Sequence, residues 1–280
     1  MAYRSTVNYF LSETINRIRH LLFPSYTTND YSSFYIHVDK KSQQTFDEIS
    51  IQNISNVTLL KERINVYWGG YSQVIATLKL LSSALKNPNN QYFHFISGEC
   101  FPIKSFNEIE QEWNISPENN YIESYFHKEN NWRLKVSMPH TDTIFFRTFL
   151  GKVLNKTIKL SSYILKTSKI PTKNYYYGSS WFSINKELAK FIIDISHSTE
   201  FFDIFKRTPC CDEHALQILV RNFNIKNIVN NNKRFVIFNG KANPEYVSIQ
   251  KVYEIKKSQD YWFIRKLDED LLLFLLKNND

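Results

Sequence analysis

Glu213 follows Pro209 and Asp212 and heads the run Ala215, Leu216, Leu219, Val220, the pattern of a carboxylate in the first turn of a helix with Asp212 as its cap. A helix N-terminus favours the ionised form, so such a group can take a proton from an attacking hydroxyl. An acid that merely complements the helix dipole would sit in the same place, and the residues alone leave both readings open. Asp39, Trp68 to Ser72, Ser97 to Cys100, Glu123 and Gly178 to Trp181 form a second group, each just past an apolar run. In open α/β sheets such positions line a ligand crevice at the carboxyl ends of the strands. Singly, each has a plainer account: Asp39 and Ser72 as helix caps, Gly69 and Gly70 as a turn, Trp181 as core. Their joint occurrence is what points to a site.

Other chemistries are weaker. His37 beside Asp39 and His214 beside Glu213 read as structural histidines rather than second bases. Cys210 and Cys211 read as packing, because nucleophilic catalysis by cysteine needs a paired histidine. Cys100 makes the thiols an odd set of 3, with no disulfide framework and no zinc spacing. The one Asp-x-Asp string, Asp268-Glu269-Asp270, opens an amphipathic run and reads as a helix start with solvated acids rather than a metal site. Tyr71, Tyr125 and Trp132 could stack on sugar rings or fill the core.

The elements that must hold these residues alternate. Ile15, Ile18, Leu21 and Leu22 share a helical stripe, and Phe34, Ile36 and Val38 alternate with Tyr35 and His37 as a strand ending at Asp39. Val57 to Leu60, Tyr92 to Ile96 and Tyr177 to Ile184 read as further strands. Val74, Leu78, Leu81 and Leu85 mark one helix, and Leu188, Phe191, Ile192 and Ile195 another. Arg234 to Phe238 is a late strand after the Asn230 to Asn232 turn, and Leu267 to Lys277 is a closing amphipathic run read as core. The layout predicts an α/β fold with a mostly parallel sheet.

The 280 residues, 42% hydrophobic and 22% charged, suit a chain that buries a sizeable core, which excludes disordered, collagenous and coiled-coil classes. Only 6 glycines argue against a nucleotide site built from a long glycine loop. No apolar stretch reaches membrane-spanning length, and the polar start, Met1 to Tyr9, is unlike a secretory signal, so the expectation is an intracellular chain. The net charge of +8 is concentrated: Arg133 to Lys173 holds nine Lys or Arg against one acid, Asp142. There Phe145, Phe149 and Val153 recur at helical spacing beside Arg147, Lys152 and Lys156. That is the pattern of a basic amphipathic helix suited to an anionic membrane or substrate. The plainer reading, which the sequence alone prefers, is a solvated basic face over a core-packing stripe. No nucleic-acid-binding motif accompanies the patch, so no nucleic-acid partner is expected.

Five strings occur in a telling order: Ile36-His37-Val38-Asp39-Lys40-Lys41-Ser42, Trp68-Gly69-Gly70-Tyr71-Ser72, Ser97-Gly98-Glu99-Cys100-Phe101-Pro102-Ile103-Lys104, Gly178-Ser179-Ser180-Trp181-Phe182 and Asp212-Glu213. Phe263-Ile264-Arg265-Lys266-Leu267 closes the set. From about Ser32 to Asp268 the chain resembles the core-2/I-branching β-1,6-N-acetylglucosaminyltransferase family, which also takes in peptide xylosyltransferases. The resemblance implies a single GT-A-type nucleotide-sugar domain over residues 1–280, with a mostly parallel central sheet flanked by helices. Residues 133–175 would be a basic variable insert and 255–280 a C-terminal segment carrying a diphosphate-contacting lysine.

The implied activity is inverting transfer from a UDP-sugar donor to a glycan acceptor, without a divalent metal or other cofactor. N-acetylglucosamine in a β-linkage is the expected sugar. By the same resemblance Glu213 is the base, Asp39 and Trp68 hold the nucleotide, Arg234 and Lys266 neutralise the donor diphosphate, and Glu123 and Lys128 bind the acceptor. Inversion is one in-line displacement, so one carboxylate suffices, and fixed cations can meet the leaving diphosphate in place of a metal. Two rivals are transfer from UDP-xylose and a carbohydrate-binding protein without turnover. The chain departs from the family pattern in its polar Arg4 to Tyr9, which predicts a short, frayed or altered first strand. Its residues also lead to the expectation of no membrane anchor and no disulfides of the kind animal members carry. The resulting expectation is a bacterial, cytoplasmic enzyme of surface polysaccharide or lipopolysaccharide synthesis, with a lipid-linked acceptor and a peripheral contact to the anionic inner membrane face.

Overall fold

Phe34, Ile36 and Val38 point to one face of their strand and Tyr35 and His37 to the other, and both sets are buried. A strand buried on both faces must run inside a sheet covered on both sides. The computed structural model describes residues 4–11, 32–50, 56–171, 173, 175–240 and 243–277. It begins β1 (Arg4–Leu11), β2 (Ser32–Val38), α1 (Gln43–Ser50), β3 (Val57–Leu59), α2 (Ser72–Leu85), β4 (Asn90–Ser97) and β5 (Phe101–Pro102). Next come α3 (Phe106–Trp113), β6 (Asn120–Tyr121), β7 (Tyr125–Phe126), α4 (Trp132–Lys135), a 3-10 turn over Ile144–Arg147 and α5 (Phe149–Ser161). After β8 (Tyr176–Tyr177), β9 (Phe182–Asn185) and α6 (Lys186–Ser198), 3-10 turns at Phe202–Phe205 and Cys211–Glu213 lead into α7 (Ala215–Asn222). β10 (Ile228–Val229), β11 (Arg234–Val236), α8 (Ile249–Ser258), β12 (Phe263–Arg265) and α9 (Glu269–Lys277) finish the chain.

Among the described residues the central sheet has the order β10-β6-β9-β4-β1-β2-β3. β1 pairs in parallel with β2 and β4, β3 with β2, and β10 with β6, whereas β9 runs antiparallel to β4 and β6. The α/β architecture with a mostly parallel sheet is therefore as expected. Because β9 is reversed, its N-terminal end shares an edge with the C-terminal ends of β2, β4 and β6, where the candidate residues lie. α2, α6 and α7 cover one face over Leu80, Phe93, Phe95, Ile192 and Leu219. α3 and β12 cover the other over Ile36, Ile96, Trp113 and Trp262. A small sheet, β11-β12-β5, carries Arg265 and Lys266 to the C-terminal end of β4.

Several expectations need correction. The first strand is neither short nor frayed: β1 spans eight residues and is paired on both sides in the middle of the sheet. Ladder bonds are made by the backbone, so polar side-chain types do not prevent them. The Ile15 to Leu22 helix lies outside the described residues. The expected strand Tyr177 to Ile184 is broken into β8 and β9 around Gly178 to Trp181. The basic helix is broken at Thr148, whose hydroxyl caps α5 by accepting from Gly151 N at 3.1 Å. The closing run is core, as read: Leu272 and Leu275 of α9 are buried.

Gly178 explains the broken strand. A Cβ there would overlap the Glu123 carbonyl oxygen, lie 2.6 Å from its carbon and 3.0 Å from Gln217 Cγ. Gly178→Ala is thus expected to cost about 1–3 kcal/mol by overpacking and to displace Glu123, read as a lower denaturation midpoint.

Candidate active site

The Glu213 corner is built from two left-handed residues. Gly69 (φ 76°) and Cys210 (φ 51°) meet through a hydrogen bond from Cys210 N to Gly69 O of 2.8 Å. A left-handed Cys costs about 1–2 kcal/mol, a local strain that the surrounding contacts hold in place. It turns the chain before α7 begins, so Glu213 ends a 3-10 turn rather than lying in the first turn of the helix. The expected Asp212 cap is absent for the same reason: His214 occupies the cap position of α7, and Asp212 Oδ2 instead accepts from Gln73 Nε2 at 3.4 Å. Glu213 O accepts from Gly178 N at 3.0 Å, and its half-buried carboxylate pairs with the guanidinium of Arg133 on α4. The sequence singled out Arg133 only as a charge; a partner 80 positions away leaves no local signal.

The same loop holds Glu123. Ser179 N donates to Glu123 Oε2 at 3.1 Å, and burial pushes the carboxyl's pKa up against that bond and the charge of Arg234. Beside the two glutamates, Tyr125 stands edge-on to Tyr177 at 5.6 Å and His127 lies 5.1 Å from Tyr177. Burial first, then the Glu123 and Glu213 charges, raises the pKa of both phenols, so they stay neutral. These rings make an aromatic wall of the kind sugar rings stack on; Tyr177 was not among the sequence candidates. Of the three that were, Tyr125 is exposed on this wall, Tyr71 is buried core, and Trp132 packs against Val136, Met138 and Phe146. Lys128 is exposed on the loop after β7.

The remaining titratable groups behave as structural parts. Burial takes His214 down to about 3, while its Nδ1 donates to Tyr176 O at 2.8 Å. Burial takes His37 to about 4, and its Nε2 accepts from Ile64 N at 3.2 Å. Cys210 is pushed up to about 12 by burial, which rules out a thiolate nucleophile near neutral pH. Asp212 is raised to about 7, by burial and then by the neighbouring Glu213 charge.

At the far end of the crevice Asp39, just past β2, accepts from Lys41 N at 3.0 Å and Val66 N at 3.4 Å and pairs with Lys41 Nζ at 2.6 Å. Trp68 follows Val66 on the loop after β3, half-exposed, with the Arg147 guanidinium 5.1 Å from its ring. Past β4, Glu99 bridges two cations, Lys266 Nζ at 2.7 Å and Arg265 at 3.1 Å. Arg265 also bonds the Ser97 hydroxyl and lies 5.0 Å over Trp181. Arg234 is placed differently from the expectation. It is 5% exposed, with its guanidinium donating to Ser183 Oγ and to the carbonyls of Asn232, Phe95 and Phe182. It braces β4 against β9 from inside the core, while Arg265 supplies a second cation beside Lys266. The signal for Arg265 was present as a basic pair at the end of an apolar strand.

Hydrogen bonds thus run from Asp39 through Val66 and the Gly69–Cys210 corner to Glu213, and on through Gly178 and Ser179 to Glu123. Trp181 of that last loop carries Arg265. Such a crevice offers a carboxylate for proton transfer, a cationic pole for an anionic leaving group, and an aromatic wall. Among the described residues no group of three or more His, Cys, Asp or Glu could hold a metal ion. Asp268 of the Asp-x-Asp string caps α9, accepting from Leu271 N at 2.8 Å.

The chain belongs to the Core-2/I-Branching enzyme family, whose profile matches residues 10–259. It is thereby a member of a glycosyltransferase family. It is 25% identical over 220 residues to the human beta-1,3-galactosyl-O-glycosyl-glycoprotein beta-1,6-N-acetylglucosaminyltransferase 3, covering 75% of this chain and 46% of that protein. To the human N-acetyllactosaminide beta-1,6-N-acetylglucosaminyl-transferase it is 24% identical, over 65% of this chain and 44% of the relative. The chain thus spans less than half the length of these relatives. Among solved structures it is similar to the 4-diphosphocytidyl-2C-methyl-D-erythritol synthase of Anaerococcus prevotii, with a TM-score of 0.40 and 10% identity over 91% of this chain and 96% of that one.

Proposed function

We propose that the chain transfers N-acetylglucosamine from UDP-N-acetylglucosamine to a hydroxyl of a glycan acceptor, with inversion to a β-linkage and without a divalent metal. The observation that carries this reading is the fixed Glu213 carboxylate, tied through one loop to the Arg265 and Lys266 cations. In the step proposed, the acceptor hydroxyl oxygen forms the bond to the anomeric carbon as its proton passes to Glu213. The bond from that carbon to the diphosphate oxygen breaks on the opposite face, and its electron pair leaves with UDP. Lys266, with Arg265 beside it, meets the charge that grows on the diphosphate. Asp39 and Trp68 hold the nucleotide, and Glu123 with the Tyr125 and Tyr177 rings receives the acceptor sugar, with Lys128 at its rim. The names of the family relatives favour N-acetylglucosamine as the sugar. We propose a lipid-linked glycan as the acceptor, on the strength of the surface described below.

The test is turnover of a panel of UDP-sugars in excess EDTA, with short glycans as acceptors. Release of UDP from UDP-N-acetylglucosamine, with an anomer-inverted product by NMR, is the expected result. Preference for UDP-xylose would change the donor, an absolute need for a divalent ion would overturn the metal-free step, and failure to bind any UDP-sugar would leave a carbohydrate-binding protein.

A further inference from the structure

The stripe expected to pack into the core instead faces away from the protein. Of the 20 large hydrophobic side chains exposed among the described residues, ten fall between Ile144 and Leu165. α5 shows how they are arranged. At about 100° per residue, Gly151, Asn155 and Ile158 stack on one side of the helix. That side is held down: Gly151 lies against the Phe145 carbonyl, Asn155 bonds His140 Nε2 at 2.6 Å and the Phe146 carbonyl at 2.9 Å, and Ile158 packs beside Val136 and Met138. Phe149, Leu150, Val153 and Leu160 occupy the opposite half, with Phe149 79% exposed, and Leu154, 40% exposed, flanks it. Lys152, Lys156 and Lys159 run along one border of that half, and the exposed Tyr163-Ile164-Leu165 corner extends it.

We propose that the outer half of α5 and the Tyr163-Ile164-Leu165 corner dock on an anionic membrane surface. The apolar side chains seat at the boundary between headgroups and acyl chains, and the lysine border lies on lipid phosphates. Charge decides the occupant, since the segment Arg133 to Lys173 carries nine cations and one acid. A second copy of this chain paired antiparallel through this half would set lysine row against lysine row, and a nucleic acid would leave the aliphatic half facing phosphate. The docking segment is also bolted to the crevice. Arg147 lies over Trp68, Phe146 packs on Gly69, and Asp142 binds Ser72 N at 3.1 Å and its hydroxyl at 2.5 Å. Docking would therefore hold the crevice at a fixed attitude to the bilayer. Presentation of an acceptor from that bilayer rests on the transferase reading, whereas docking does not.

Flotation with vesicles of phosphatidylcholine, alone or mixed with phosphatidylglycerol, tests the docking without any turnover. The chain is expected to float with the mixed vesicles, to be partly released by salt, and to stay behind with phosphatidylcholine alone. Combined Lys152→Glu, Lys156→Glu and Lys159→Glu should weaken binding by about a hundredfold. Leu150→Ser with Leu154→Ser should weaken it without altering its salt dependence. All five positions are exposed, so circular dichroism and UDP binding should match the parent. Absence of flotation, flotation indifferent to phosphatidylglycerol and to the lysine changes, or a dimer in sedimentation that Leu154→Glu dissociates would each overturn the proposal. The last outcome would assign the face to a second copy.

Discussion

Glu213→Gln is expected to lower the transfer rate by about 10²–10⁴-fold while UDP binding is retained. The amide keeps the size and one acceptor oxygen of the carboxylate, so Arg133 retains a partner and the left-handed Cys210 corner is undisturbed. What disappears is the capacity to take a proton from the acceptor hydroxyl at the moment it attacks. Glu213 is only half-buried, and its backbone bonds to Cys210 and Gly178 remain, so the fold should be unaffected. Asp212→Asn is the control. Asp212 is turned toward Gln73 of α2, whose Nε2 donates to its Oδ2 at 3.4 Å. Its loss should cost far less than that of Glu213. Single-turnover rates with saturating donor, set beside UDP affinity by calorimetry, separate the two. Equal losses in both variants would move the base to the pair, and a loss confined to donor binding would remove Glu213 from the chemistry.

The parts of this arrangement visible in the sequence are those set by local periodicity. β2 and β4 announce themselves because both faces are buried and apolar residues fill both, and α2 and α6 because their core stripes repeat at helical spacing. The loops at the C-terminal edge could be picked out because polar and aromatic clusters follow apolar runs. Periodicity says nothing about what lies opposite a stripe. The α5 pattern is the same whether Phe149 and Val153 meet a core or open solvent, and only the tertiary structure shows them exposed. Nor does it register long-range pairing. Arg133 meeting Glu213 and Gly178 lying against Glu123 join residues that the fold alone brings together. The Glu213 turn was misjudged for a related reason, since a left-handed Cys210 is something no propensity predicts. β1 was underrated because its ladder uses backbone groups that side-chain hydropathy does not report.

Lys266→Met and Arg234→Met should fail in opposite ways, although the resemblance paired these two cations. Lys266 Nζ sits on Glu99 at the mouth of the crevice, and Glu99 keeps Arg265 at 3.1 Å when the lysine is gone, so no buried charge is stranded. The protein should fold as before. In the proposed step the charge developing on the leaving diphosphate would lose the Lys266 cation, a deficit of about 10²–10³ in kcat with a smaller change in donor KM. Arg234 is the reverse case. Its removal leaves Ser183 Oγ and the carbonyls of Asn232, Phe95 and Phe182 without that donor inside the core, at a cost of about 1–3 kcal/mol or more. A fall in Tm of about 5 °C or more should follow, and activity per folded molecule at low temperature should stay near the parent's. Thermal melts and kcat measured on the same preparations check both halves. If Arg234→Met folds normally and loses kcat as Lys266→Met does, the guanidinium must leave its acceptors to reach the donor, and the two-cation pole is Lys266 with Arg234 rather than Arg265.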